Sequence, residues 1–240
     1  MQFRLECHEV LESTSSLVKQ RAEDGAAEGL AIQALRQSAG RGRQGRGWES
    51  PAGNLYISVL LRPAVPLRDA PQWSFVAAVA LAETLNGLLP EASKLSLKWP
   101  NDLLLQGAKA AGILVETGIA PSHALDWICI GIGVNIRSKP NLPDRPTACL
   151  AEYLAAPPAP EALAQSLLVS LAHWHDVRLQ QGFAPIREAW LRHAPAMGAP
   201  ISLKRDGALL EGAFAGLSPE GGLLLAKGRE VQLILAGEII

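Results

Sequence analysis

Cysteine is scarce and unpatterned: Cys7, Cys129 and Cys149 are odd in number, far apart and without C-x-x-C spacing. That excludes a disulfide framework or a zinc ribbon and favours a reducing cytoplasm. Long apolar runs are missing too. The longest, residues 73–82, is interrupted at Glu83 and falls short of the roughly 20 residues that a membrane crossing needs, so a soluble protein is expected. The opening residues, Met-Gln-Phe-Arg-Leu-Glu-Cys-His-Glu, lack the charged-then-apolar layout of a signal peptide. There is no excess of charge: 22 basic against 23 acidic side chains give a formal net charge of -1. A basic face or domain is the usual requirement for nucleic acid, so no nucleic-acid partner is expected.

Several catalytic signatures are absent as well. His8, His123, His173, His175 and His193 form no H-E-x-x-H or other chelating set, and His173 and His175 flank Trp174 where they cannot share a helix face. No metal ligand is therefore assigned. There is no G-x-S-x-G elbow and no Cys/His nucleophile pair. Gly40, Gly42 and Gly45 spell G-x-G-x-x-G, but residues 47–53 (Gly-Trp-Glu-Ser-Pro-Ala-Gly) cannot open the helix that a dinucleotide fold requires. No Gly-Lys-Ser/Thr follows, so it is no Walker loop either.

What is present is an alternation of short strands and longer helices. With 240 residues, 48% hydrophobic, the chain can bury a full enzyme core as one large domain or a large and a small one. Residues 13–16 (Ser-Thr-Ser-Ser) read as a hydroxyl cap entering a helix that stops near Gly25. Strands are expected over 30–35, 54–61, 95–98, 112–116 and 127–136. Helices are expected over 71–89, over 161–181 behind the Pro157-Pro158-Ala159-Pro160 punctuation, and over 185–193. From about Ala196 short strands at 200–204, 209–217, 223–225 and 231–235 alternate with turns at Asp206-Gly207 and Glu220-Gly221-Gly222. The expectation is an α+β catalytic domain over 1–194 and a small β-barrel over 195–240.

Three segments carry chemical character. Residues 37–48 combine glycines with Arg41, Arg43 and Arg46 and end in Trp48. Glycines let a backbone approach a ligand closely and guanidinium forks suit carboxylate or phosphate; a solvated loop or an RNA-binding Arg-Gly stretch are the other readings. Lys98-Trp99-Pro100-Asn101-Asp102 runs ahead of Lys109-Ala110-Ala111-Gly112-Ile113-Leu114-Val115-Glu116 and sets two lysines, an Asn and an Asp at strand ends. A plain surface hairpin would explain that equally. Gly131-Ile132-Gly133-Val134-Asn135 leaves one strand face open, either for a ligand or for close packing.

Taken together and in this order, these segments resemble the catalytic module of biotin protein ligases, over nearly the whole chain. Lys-Trp-Pro-Asn-Asp ahead of Lys-x-x-Gly-Ile-Leu-Val-Glu is the specific part. The resemblance implies the α+β fold shared with lipoate ligases and class II aminoacyl-tRNA synthetases, followed by an SH3-like barrel. It implies a two-step enzyme, cytoplasmic, that makes biotinyl-5'-AMP from biotin and ATP with Mg2+. Biotin then passes to a lysine of the biotin carboxyl carrier protein domain of a carboxylase. Ser13, Thr14, Gln37, Gly40, Arg41, Arg43, Gly112 and Gly133 would bind biotin. Arg41, Arg43, Trp48, Lys98, Asn101, Lys109 and Asn135 would bind ATP and the adenylate, with Lys109, Arg43 and Asp102 catalytic.

The departures are modest. Gln44 and Gly47 stand where basic residues are often found, and Ala110 replaces a larger apolar residue. Some bacterial relatives carry a winged helix-turn-helix before this module; none is read here, so no repressor role is expected. The resemblance allows a homodimer without deciding it. A lipoate or octanoate ligase, or a biotin sensor without turnover, are the rival readings.

Overall fold

The computed structural model describes residues 1–143, 145–205 and 207–239. Its elements are β1 (Arg4–Leu11), α1 (Thr14–Glu23), β2 (Leu30–Gln37), β3 (Leu55–Leu61), α2 (Gln72–Asn86), β4 (Leu95–Lys98), β5 (Asp102–Leu105), β6 (Ala108–Ile119), β7 (Leu125–Val134), α3 (Pro160–Gln181) and α4 (Ala184–Leu191). Then follow β8 (Pro200–Arg205), β9 (Ala208–Leu217), β10 (Leu223–Lys227), β11 (Glu230–Ile234) and β12 (Glu238–Ile239). This is the mixed α+β architecture expected. Strands β1 to β7 form one sheet in the order β1-β2-β3-β7-β6-β5-β4. Only β1 and β2 run parallel, joined through α1; every other neighbour is antiparallel.

The period-2 alternation of strands sends successive side chains to opposite faces, and both faces are covered. On one side Leu55, Ile57, Val59, Ile128, Ile130 and Ile132 pack with α2. On the other Leu60 and Cys129 join Val18 and Ala22 of α1, with Ile32 and Trp127. Helix α2 is buried at twelve of its fifteen positions, because α3 and α4 close over the face turned away from the sheet. A helix buried all round has no polar stripe to show, and it was the helical spacing of its apolar residues and its good helix formers that pointed to it.

Helix boundaries follow local chemistry, with one correction. Pro160 opens α3 at a position where its missing N–H costs nothing, and Gly182 at φ +80° ends it. Ser13 holds the N-cap position of α1, but its side chain makes no capping bond. The Thr14 N–H instead donates to Gln37 Oε1 at 2.8 Å, a cap supplied from the end of β2.

The carboxy-terminal strands form an antiparallel sheet in the order β11-β10-β9-β8-β12. It is an open sheet with β11 and β12 at its edges, where a closed barrel was expected: the strands that would have to meet do not pair among the described residues. Asp206, half of the expected Asp206-Gly207 turn, lies outside them. This sheet has no separate core. Leu203, Phe214, Leu217, Leu223 and Ile234 belong to the same buried cluster as α2. Phe75 of α2 stacks edge-on against Phe183 and Trp190, and Trp99 Nε1 donates to Gly221 O at 3.1 Å.

Candidate active site

One cavity, of about 210 Å³, opens on the α1 face of the large sheet. Because Ile130, Ile132 and Val134 turn their side chains to the core under α2, Gly131 and Gly133 face the cavity from β7. Antiparallel pairing sets Gly112 of β6 across from Gly133, and Ser58 of β3 across from Gly131. The floor is thus bare backbone. A Cβ on Gly133 would lie 2.6 Å from the Trp48 indole, and one on Gly131 2.6 Å from Ser15 Oγ. Trp48 reaches over this floor and, with the strap that carries it, narrows the cavity below the roughly 300–1,000 Å³ usual for small-molecule sites.

At one end stand neutral hydrogen-bonding groups. Thr14 and Ser15 hydroxyls lie 2.8 and 3.0 Å from Ser58 Oγ. Gln37 Oε1 accepts from Thr14 Oγ1 at 3.2 Å while its Nε2 donates to Ser50 Oγ at 2.9 Å. Such a network fixes every donor and acceptor before a ligand arrives. Ser15 was read from the sequence only as part of the helix cap, and Ser58, buried behind the lining, not at all; a serine inside the otherwise apolar Leu55–Leu61 strand was the available signal.

The other end is cationic. Lys109 Nζ sits 2.5 Å from Asp102 Oδ1 in an ion pair without hydrogen-bond alignment, and Lys98 Nζ lies 3.9 Å from Oδ2. Lys109 is also 5.5 Å from the centre of the Trp48 ring, a cation–π contact. Arg43 donates to Asn101 Oδ1 at 3.1 Å, and Asn101 Nδ2 donates to Ile113 O at 2.6 Å. At the rim Glu238 of β12 accepts from Arg46 and from Arg145. Burial pulls Arg43 and Lys98 below their ordinary values, because a cation out of water is disfavoured, and Lys98 is further depressed by Lys109 and Arg145. For Glu238 burial acts upward, yet the hydrogen bonds from Arg46 and Arg145 outweigh it and hold the carboxyl down at about 2. The lining holds Arg41, Arg43, Arg46, Lys109 and Arg145 against Glu49, Asp102 and Glu238. Such an excess of partly desolvated cations is a site for an anion.

Not every expected residue faces the cavity. Ser13, Thr14, Gln37, Arg41, Arg43, Trp48, Asn101, Asp102, Lys109, Gly112, Gly133 and Asn135 line it; Gly40 and Lys98 do not. Gly40 is required elsewhere, since a Cβ there would lie 2.3 Å from Trp48 O. The Asn135 amide donates to Ala148 O at 3.0 Å, so its nitrogen ties down a wall. Arg145 and Glu238 carried no local signal at all.

The Biotin/lipoate A/B protein ligase family profile matches residues 7–135. The chain is 39% identical to a biotin--[acetyl-CoA-carboxylase] ligase of Paracoccus denitrificans, over 87% of this chain and 88% of that one. It is 33% identical to the bifunctional ligase/repressor BirA of Bacillus subtilis, over 97% of this chain and 72% of that protein. Among solved structures, a biotin protein ligase from Aquifex aeolicus in complex with biotin and ATP superposes with a TM-score of 0.82 at 27% identity, covering 99% of this chain and 97% of the other. A polar pole and a cationic pole on a glycine floor, together with these likenesses, set the chain in the biotin/lipoate A/B protein ligase family, among its biotin ligases.

Proposed function

We propose that the chain is an ATP-dependent biotin protein ligase acting at this cavity, forming biotinyl-5'-AMP and passing biotin to a lysine of a biotin carboxyl carrier protein domain. The observation that carries the reading is the opposition of the two poles. Thr14, Ser15 and Gln37, braced from behind by Ser58, offer hydroxyls and an amide to a ureido ring, whose N–H and C=O groups can join their network as a fatty acyl chain cannot. Gly112 and Gly133 let the ring system lie on the sheet. Arg43 and Lys109 meet the carboxylate and the phosphates, and Trp48 covers the adenine.

In the first step a biotin carboxylate oxygen attacks the α-phosphorus of ATP, the bond to the β-phosphate oxygen breaks and pyrophosphate leaves. The barrier is largely repulsion among anions, which Arg43 and Lys109 offset by preorganised charge. Mg2+ would accompany ATP. Among the described residues no group of three His, Cys, Asp or Glu stands together, and Asp102 and Glu238 are already paired. No protein ligand is therefore assigned to the ion.

In the second step the carrier lysine attacks the acyl carbon, a C–N bond forms, AMP leaves and the amine loses a proton. At pH 7 an ordinary lysine, with pKa about 10.4, must be neutralised at a cost of roughly 4–5 kcal/mol. When Lys109 swings to an incoming phosphate, Asp102 is bared to position the ammonium and take its proton. Asp102→Asn should therefore slow transfer from preformed biotinyl-AMP by about 10²-fold, read by single-turnover biotinylation of the carrier; normal transfer would remove Asp102 from this role.

The decisive experiment is pyrophosphate exchange into ATP with biotin, lipoate and octanoate in parallel. Exchange with biotin alone is expected. Exchange with an acyl chain alone would replace the substrate, and none with any acid would favour a sensor. We further read 1–194 as the catalytic domain and 195–240 as an SH3-like module resting on its core. A cytoplasmic setting fits three cysteines that stand free; among the described residues no helix is long and apolar enough to cross a membrane. A homodimer would have an edge to use, since β5 covers β6 only as far as Gly112.

A further inference from the structure

The strap over the cavity is closed on itself at its stem. Arg41 and Gly47 form an antiparallel bridge, Gly42 N–H donates to Arg46 O at 2.8 Å and Trp48 N–H to Gly40 O at 2.9 Å. From this stem three arginines diverge to three separate parts of the fold. Arg43 turns inward to Asn101. Arg41 reaches Glu116 Oε1 on β6 at 2.9 Å, and the same oxygen accepts from Lys19 of α1 at 2.8 Å. Arg46 grips Glu238 with both prongs, Nη1 to Oε1 at 3.2 Å and Nη2 to Oε2 at 2.9 Å, while Arg145 meets Oε1 at 2.7 Å. Both carboxylates are mostly covered, at 18% side-chain exposure each.

We propose that Glu116 and Glu238 are positioning residues that pin the strap shut from its two ends and so retain the acyl-adenylate between the two chemical steps. This rests on the ligase reading above. The division of labour follows from geometry: Arg41 is engaged with Glu116 outside the cavity and Arg46 with Glu238 at its rim, so Arg43, turned to Asn101, is the strap's inward cation. Arg41, expected to bind the anion, acts as a pin. Glu238 brings the carboxy-terminal sheet into the closure, and the sheet can bear that load because its core is continuous with α2. Both arginines are partly exposed, at 43%, so each pin is modest; exposed pairs change an equilibrium by up to about five-fold, with forked geometry at the upper end.

The test uses the full chain with biotin and ATP. Glu116→Gln and Glu238→Gln should each speed escape of biotinyl-AMP, measured by trapping after removal of free ligand, by about three- to five-fold, and the pair together by about ten-fold or more. Escape should rise more than the single-turnover rate of adenylate formation falls, a split that general loosening of the fold would not produce. Arg46→Lys keeps the charge but loses the fork and should fall between parent and Glu238→Gln. In the ligand-free chain, trypsin should cut after Arg41, Arg43 and Arg46 faster in both variants. Unaltered escape and unaltered cleavage in both would overturn the proposal, as would a fall in formation with no change in escape. If the parent makes no adenylate, the ligase reading fails, and the trypsin comparison still decides the pins.

Discussion

Lys109→Ala is expected to lower biotin-dependent pyrophosphate exchange by about 10²–10³-fold, the usual effect of removing one preorganised group that meets developing charge. The lysine stands at the cationic end of the cavity, against Asp102 at 2.5 Å and the face of Trp48, from which it turns to the phosphates when ATP arrives. Biotin affinity should change by less than about ten-fold, because Thr14, Ser15 and Gln37, proposed to meet the ureido ring, line the other end of the cavity and are untouched. A further consequence separates this variant from a simple loss of charge. Asp102, buried at 4% exposure, keeps Lys98 at 3.9 Å as its remaining ion-pair partner among the described residues, and an undercompensated buried carboxylate destabilises the fold. Exchange kinetics, biotin calorimetry and a urea titration read the three effects. An unchanged exchange rate would take Lys109 out of the chemistry.

Gly133→Val should weaken biotin binding by about 10- to 100-fold, the equivalent of 1–3 kcal/mol of overpacking, while leaving the fold in place. The Cβ alone would lie 2.6 Å from the Trp48 ring. The backbone cannot retreat, since β7 is paired with β3 on one side and β6 on the other, so the indole must be driven out and two methyl groups fill the floor beneath the ligand. Valine suits a strand, which is why circular dichroism and the melting transition should stay near those of the parent. Calorimetry with biotin checks it; parental affinity would mean that the ligand does not lie on this glycine.

How much of this could be read from the chain alone varies by residue. The strand over Leu55–Leu61, the helix over Pro160–Gln181 and the Gly131/Gly133 alternation are local statements: periodicity says which face is buried, and a neighbour within a few positions says where an element stops. The order of the Arg-rich, Lys-Trp-Pro-Asn-Asp and glycine segments was local as well, and it sufficed to name the ligase family and most of the cavity lining. What tertiary structure alone decided are pairings across long stretches of chain. Gln37 caps α1 from 23 residues away, and Ser58 meets Thr14 across 44. Glu238 reaches Arg46 across 192 and Arg145 across 93. No periodicity encodes such contacts, because they depend on strand order and on where one sheet rests against another. The same cause separates the open carboxy-terminal sheet from the expected barrel: short strands and turns specify hairpins, whereas whether the last edge meets the first is settled by the packing of all of them on the shared core.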